Sequence, residues 1–306
     1  MSEDGKTPEA GDPQKGIQEE ILADEARLGP DDTFKFRCHP GVSCFNTCCA
    51  DVNIFLSPYD VLRLTERLGI SSTEFLEKYT LLPVQKDMNT PVVLLKMGDN
   101  EAKSCQFLTD KGCGVYTDRP WPCRMYPIGL ATSRDTEDGW RGERFYFLLK
   151  EESCQGHQDA RELTVQEWMD EQEVDAYDEW GEAYKELSLH TFFDDFGPLP
   201  PSKMEMFYNA TYDLQKFREF VFGSTLLERF DVDEDFIHQM QTNNEALLRF
   251  GFLWIRFAVF GEPTMKVRAE AEEAVQEKLK TKKEREQEAS SEPTTPKLAS
   301  PQKEAP

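Results

Sequence analysis

The sequence predicts an α+β protein: a small, irregular, cysteine-rich metal-binding half with short strands, then a mainly helical half, with disordered termini. Three observations predict it. All eight cysteines lie between Cys38 and Cys154. Short β-branched runs, broken by turn residues, lie among them. Beyond about residue 161 the apolar residues recur at helical spacing. The expected divisions are an acidic, disordered 1–33, a cysteine-cluster domain 34–160, a helical region 161–263 packed on it, and a charged helix with a disordered tail over 264–306.

Taken in order, Ala50–Leu56 is short, partly alternating and β-branched, so it predicts a strand. Ser57-Pro58-Tyr59-Asp60 predicts a helix start, with Ser57 as cap and Pro58 in the first turn. Gly69 ends that helix. A second helix runs to about Tyr79, and Ser71 with Glu74 fits a capping box. Pro91–Met97 predicts a buried strand. Leu130–Thr132 and Arg144–Leu149 predict two more, joined by the turn-rich SRDTEDGWRG. Thr164 and Glu167 fit another capping box, with Trp168 facing inward. Helices are expected over about 174–189, 202–222, 233–240 and 243–260. The tail after Met265 alternates acids and bases, as a solvated helix does, and its Ser/Pro/Thr-rich end is of disordered composition.

The formal charge of −23 excludes some partners. A nucleic-acid surface needs clustered Lys and Arg, and an anionic membrane surface attracts the same groups, so neither partner is expected. The longest apolar stretch, Ala246 to Phe260, holds Arg249 and Arg256 and is too short to span a bilayer. The polar, acidic N-terminus shows no secretory signal, so a reducing cytoplasm is the expected location. There, cysteines in this number point to metal rather than to disulfides. The charge is unevenly spread. Residues 1–33 sum to −7, 34–150 to +1 and 151–196 to −13.

The candidate ligands are Cys38, Cys44, Cys48, Cys49, Cys105, Cys113, Cys123 and Cys154. The first four give C-x5-C-x3-C-C, and the next three C-x7-C-x9-C. Close spacing limits the loop-closure entropy that ligation must overcome. Four thiolates suit structural zinc or an iron–sulfur cluster, and eight could serve two sites. The expected cofactor is an iron–sulfur cluster, [4Fe-4S] favoured, or zinc. Adjacent Cys48 and Cys49 point in different directions. They could serve two centres, one larger cluster, or one ligand and one reactive thiol. Gly112 and Gly114 flank Cys113 and permit close backbone approach to a metal. Pro120, Pro122 and Pro127 stiffen the loop bearing Cys123. Arg119 and Arg124 bracket that cysteine and would stabilise an anionic cluster, with pairing to Asp118 as the competing role for Arg119.

These residues resemble the CxxCxxCC family, the YkgJ-type cysteine-cluster proteins. The shared block runs from Cys38 to Pro127. It includes Cys48-Cys49, then Cys105, Phe107 and Leu108, then Cys113, Tyr116, Arg119, Pro120, Cys123, Arg124, Tyr126 and Pro127. The resemblance implies a zinc- or iron-chelating domain. The family name implies C-x2-C-x2-C-C, so the longer loops here are a departure, and Cys154 lies outside the compact block. The family includes proteins similar to the flagellin lysine N-methylase, which implies methyl transfer from S-adenosylmethionine. No Gly-rich cofactor loop accompanies it in this chain, so that activity is not carried over.

Other features are weighed against plain structural roles. His39 and His157 neighbour cysteines and read as solvent-facing turn residues, while His190 and His238 fall in helical contexts. The acidic 151–196 reads mainly as a solvated helix face over buried Val165, Trp168, Met169 and Val174. It also motivates a metal-trafficking module with a basic protein partner as an alternative function. Phe250, Phe252, Trp254, Phe257 and Phe260 read as core packing. No Ser/His/Asp arrangement, P-loop or dinucleotide fingerprint is present.

Overall fold

The computed structural model describes residues 27–83, 88–132, 144–273, 276–277 and 280–281. The expected disorder of 1–26 and of the far C-terminus, and the turn over 133–142, lie outside the described residues.

Short strands carry the N-terminal half. β1 (Thr33–Lys35) pairs antiparallel with β9 (Glu162–Thr164), placing Phe34 opposite Leu163. β2 (Phe55–Leu56), β3 (Thr80–Leu81) and β4 (Val93–Leu95) form a three-stranded sheet with β4 central. β5 (Leu108–Thr109) and β6 (Gly112–Cys113) make a tight hairpin. β7 (Ile128–Thr132) pairs along its length with β8 (Arg144–Leu148). Leu28 bridges to Tyr146, so the fold already includes residues N-terminal to Phe34.

The strand expected over Ala50–Leu56 is shorter than its composition suggests. Asp51 sits at φ 50°, a left-handed conformation, and donates its N–H to Lys103 O at 3.1 Å. That kink leaves a lone Ala50–Ser104 bridge and a two-residue strand. Likewise only Val93–Leu95 of Pro91–Met97 is strand, and Met97 bridges singly to Cys105.

Helix ends follow the expected chemistry. α1 (Pro58–Leu68) begins with a full Ser57–Asp60 capping box and ends at Gly69 with φ 65°. α2 (Ser72–Tyr79) is capped by Ser71, which accepts from Glu74 N–H, without the reciprocal half of the box. α3 (Trp121–Met125) is one short turn carrying Cys123. α4 (Val165–Glu171) has the full Thr164–Glu167 box, and Trp168 points inward to donate to Met125 O at 3.1 Å. α5 (Asp175–Ser188) and α6 (Phe192–Phe196) follow.

The helix expected over 202–222 is two helices, α7 (Pro201–Thr211) and α8 (Leu214–Gly223). Asp213 causes the break. Its buried carboxylate caps α8 and accepts from the Ser72 and Thr73 hydroxyls at 2.9 and 2.7 Å. Those bonds reward an interruption that the apolar spacing does not show. α9 (Leu226–Arg229), α10 (Glu234–Thr242) and α11 (Asn244–Ala258) complete the half.

Three hydrophobic cores result. The largest joins α1 to the C-terminal helices around Phe207, Phe217, Leu247, Phe250 and Ile255. The second lies under the three-stranded sheet, around Leu64, Phe75, Val93 and Phe107. The third packs Phe34, Phe36, Met125, Val165 and Trp168. The aromatic run of α11 is core, with Phe250 and Phe252 buried and Trp254, Phe257 and Phe260 packed on the margin. Val165, Trp168, Met169 and Val174 are buried as expected.

Gly251 marks the closest helix crossing. A Cβ there would stand 2.1 Å from Ala210 O on α7. The obstruction is backbone, so the helices must separate. Gly251→Ala is therefore expected to destabilise the protein by about 1–3 kcal/mol, the usual range for overpacking. Urea denaturation of the full chain checks this, and an unchanged midpoint would refute the crossing.

Candidate metal centre

The loop after β1 brings four cysteines to one place. Arg37 donates its N–H to Gly156 O at 3.0 Å, which sets Cys38 beside the turn bearing Cys154. Gln155 donates its N–H to Cys44 Sγ at 3.1 Å across 111 residues of sequence. Cys38, Cys44, Cys48 and Cys154 line one cavity of about 20 Å3, with Tyr126 and Glu151 also in its wall. That is room for about one water-sized body. Cys154 packs on the third core.

The other four lie near one another, two of them on the second core. Cys105 donates its N–H to Cys49 O at 2.7 Å. The β5–β6 hairpin then returns the chain, with Leu108 opposite Cys113. Cys105 and Cys113 both pack on that core. Gly112 takes φ 110°, and a Cβ there would meet Phe45 at 3.3 Å, so the first loop rests on the hairpin. The Cys49, Cys105 and Cys123 thiols interact through space, as do Cys105 and Cys113, and Cys113 and Cys123.

All eight cysteines are free thiols. Burial, with Cys48, Cys44 and Cys154 nearby, pushes Cys38 up to about 11. Cys48 and Cys49 share a hydrogen bond. It favours the Cys48 thiolate, at about 7, and raises Cys49 strongly. Cys123 keeps a solvent-exposed edge, but protein atoms crowd its sulfur. That crowding and the neighbouring Cys105, Asp60 and Cys113 push it up to about 12. Burial also raises Cys105 and Cys113, opposed at Cys105 by the N–H groups of Phe107 and Leu108, and at Cys113 by that of Val115 and by Arg119.

The two arginines differ in placement. Arg119 is buried, lies over the Tyr116 ring at 3.9 Å and bonds Tyr116 O and Gln172. Its charge reaches Cys113 and Cys123. Arg124 is spent on structure. It donates to Arg119 O, Gln172 O, Thr117 O and Tyr177, locking the Cys123 helix to α4 and α5. Asp118 does not pair with Arg119. It accepts from Arg63 at 2.6 Å.

Sequence reasoning missed two contributors. Asp60 is legible as a cap of α1, but its second oxygen accepts Trp121 N–H at 2.7 Å and so also caps the helix bearing Cys123. Tyr126 is half-buried with its hydroxyl enclosed; among the described residues that hydroxyl has no partner of hydrogen-bond geometry, and the group beside it is the Cys154 sulfur. A thiolate there would accept that proton. His39 is partly exposed and accepts from Gly41 N–H at 3.1 Å. His157 is half-buried against Phe36 rather than solvent-facing, with Nε2 on Leu149 O at 3.0 Å. His190 pairs with Glu262 at 2.9 Å, away from the thiols.

Among the described residues, no three His, Cys, Asp or Glu side chains are drawn close enough to hold a metal ion as they stand. In kind, however, the donor set fits zinc or iron: thiol sulfurs with backbone N–H groups and an orphaned hydroxyl beside them. Ligation requires the sulfurs to draw together.

Residues 37–155 match the CxxCxxCC family, described as "Putative zinc- or iron-chelating domain". The matched span opens one residue before Cys38 and closes one after Cys154, so it takes in Cys154 as well as the compact block. No curated protein and no solved structure gives a match. Among the described residues, no helix is long and apolar enough to cross a membrane.

Asp118 gives the domain a pH signature. Burial acts to raise its carboxyl, but the Thr117 hydroxyl and the Arg63 guanidinium outweigh this and hold it below the ordinary carboxylate value. A depressed folded-state value means that its stabilisation is complete above the unfolded value of about 3.8–3.9 and lost as pH falls through the folded one. Asp118→Asn is expected to lose about 1 kcal/mol at neutral pH, discounted because Arg63 is a third exposed. The gap from wild type should close as the pH falls below that of the unfolded carboxyl. Denaturant titrations across that range check it, and a gap constant with pH would contradict the pairing.

Proposed function

We propose that the CxxCxxCC domain chelates zinc or iron through cysteine thiolates, in a structural or electron-transferring role within a reducing compartment such as the cytoplasm. The observation that supports this best is the convergence of free thiols from distant segments, shown most directly by Gln155 N–H on Cys44 Sγ. Free cysteines packed for hydrophobicity alone would not need a backbone donor aimed at sulfur. Bound metal would also supply energy that the small strands lack. Structural zinc is worth about 10–16 kcal/mol in short peptides near neutral pH.

The small cavity at Cys38, Cys44, Cys48 and Cys154 favours a single tetrahedral ion there over a polynuclear cluster. An iron–sulfur cluster remains the form that the sequence spacing favours. Iron, zinc and sulfide analysis of the anaerobically purified chain separates the forms. Zinc or iron without sulfide supports single ions, and iron with equimolar sulfide supports a cluster. A chain free of metal would sink the proposal. Chelator is expected to remove the metal only together with near-UV circular dichroism of the N-terminal half. Release without unfolding would indicate a trafficking role.

A further inference from the structure

The arrangement of the thiols carries more than chelation. We infer that they form two four-thiol centres meeting at the Cys48–Cys49 peptide: Cys38, Cys44, Cys48 and Cys154 hold one thiophilic cation, and Cys49, Cys105, Cys113 and Cys123 hold a second. The inference rests on the chelation reading above and specifies its geometry.

Three observations bear on the partition. The first set alone lines the small cavity. Of the first set Cys154 packs on the core around Phe36 and Trp168, whereas of the second Cys105 and Cys113 pack on that around Phe75 and Phe107. Backbone bonds divide in the same way. The Gln155 donor reaches Cys44, and the Cys105 donor reaches Cys49.

Local geometry explains how adjacent residues can serve both sets. Thr47–Cys49 forms a single 3₁₀ turn, entered through Asn46 at φ 71°. With about three residues per turn, neighbouring side chains diverge by about 120°. Cys48 therefore faces the first set while Cys49 faces the hairpin. The two thiols still touch each other, so the sets meet at this pair, and what separates them is the company each keeps: Cys48 lines the small cavity and Cys49 does not. The electrostatic contacts agree. Cys38 senses Cys44, Cys48 and Cys154, while Cys49 senses Cys105 and Cys123 besides its immediate neighbour.

The test is native mass spectrometry and metal analysis of the full chain purified anaerobically. Wild type is expected to hold two centres. Cys44→Ala or Cys154→Ala should lose half the metal, and Cys105→Ala or Cys113→Ala the other half. A pair of substitutions within one set should lose no more than either single change, and a pair across the sets should lose everything. Complete loss from any single, folded variant, or a wild type holding one centre, would overturn the partition and leave chelation intact. A metal-free wild type would overturn chelation itself. A second measurement avoids variants that fail to fold. Wild type partly stripped by chelator is alkylated, and its modified cysteines are identified. Labelling should proceed in two groups of four. Uniform labelling of all eight would count against two centres.

Discussion

The Asp60 carboxylate is the joint on which the two halves depend. It is 1% exposed, and burial raises its pKa. An unpaired charge in that position would be strongly destabilising. It persists because its two oxygens accept Ser57 N–H and Trp121 N–H, both at 2.7 Å, and Arg124 stands near. Each bond serves a helix N-terminus, where backbone donors lack partners. One side chain therefore starts α1, which packs into the helical core, and starts the short turn that carries Cys123. Trp168 and Arg124 then fix the end of that turn, through Met125 O and Gln172 O. A five-residue helix could not hold a thiol in place alone.

This joint explains the division of labour. The helical half has a continuous apolar core. The strands of the cysteine half are two to five residues long and are poor sources of stability by themselves. Their register is set instead by single bridges, such as Ala50–Ser104 and Met97–Cys105, that place cysteines next to one another. Helix packing presents Cys123 and, through α4, the β9 edge, and the loops bring the remaining thiols to them.

Much of this was legible in the sequence. Ser57-Pro58, Thr164–Glu167 and Gly69 mark helix ends whose chemistry is local, and the structure has them there. The clustering of cysteines, and the block from Cys105 to Pro127, pointed to the family and to its chelating chemistry. Features set by distant partners were hidden. The break at Asp213 depends on Ser72 and Thr73, far away in sequence. The kink at Asp51 depends on Lys103. Charge proximity suggested Asp118 for Arg119, but a neighbour in sequence on a 3₁₀ turn faces elsewhere, and Arg63 from α1 takes it. Cys154 fell outside the compact block because only tertiary contact at Phe36 and Cys44 brings it in.

The local field around the thiols is not uniform, although the chain as a whole carries −23. A divalent ion held by four thiolates is a dianion, so its surroundings decide how readily it forms. At Cys113 the neighbouring charge is Arg119, which favours the thiolate, and at Cys123 Arg119 does the same but Asp60 opposes it more strongly. Burial disfavours that guanidinium, and the neighbouring sulfurs favour it, so cation and thiolates stabilise one another in a dry setting. At Cys48 the neighbouring charge is Glu151, which opposes thiolate formation, and the compensating donors are neutral: the Cys49 thiol there and Gln155 N–H on Cys44. Charge and hydrogen bonding thus perform the same task on the two sides of the Cys48–Cys49 peptide by different means.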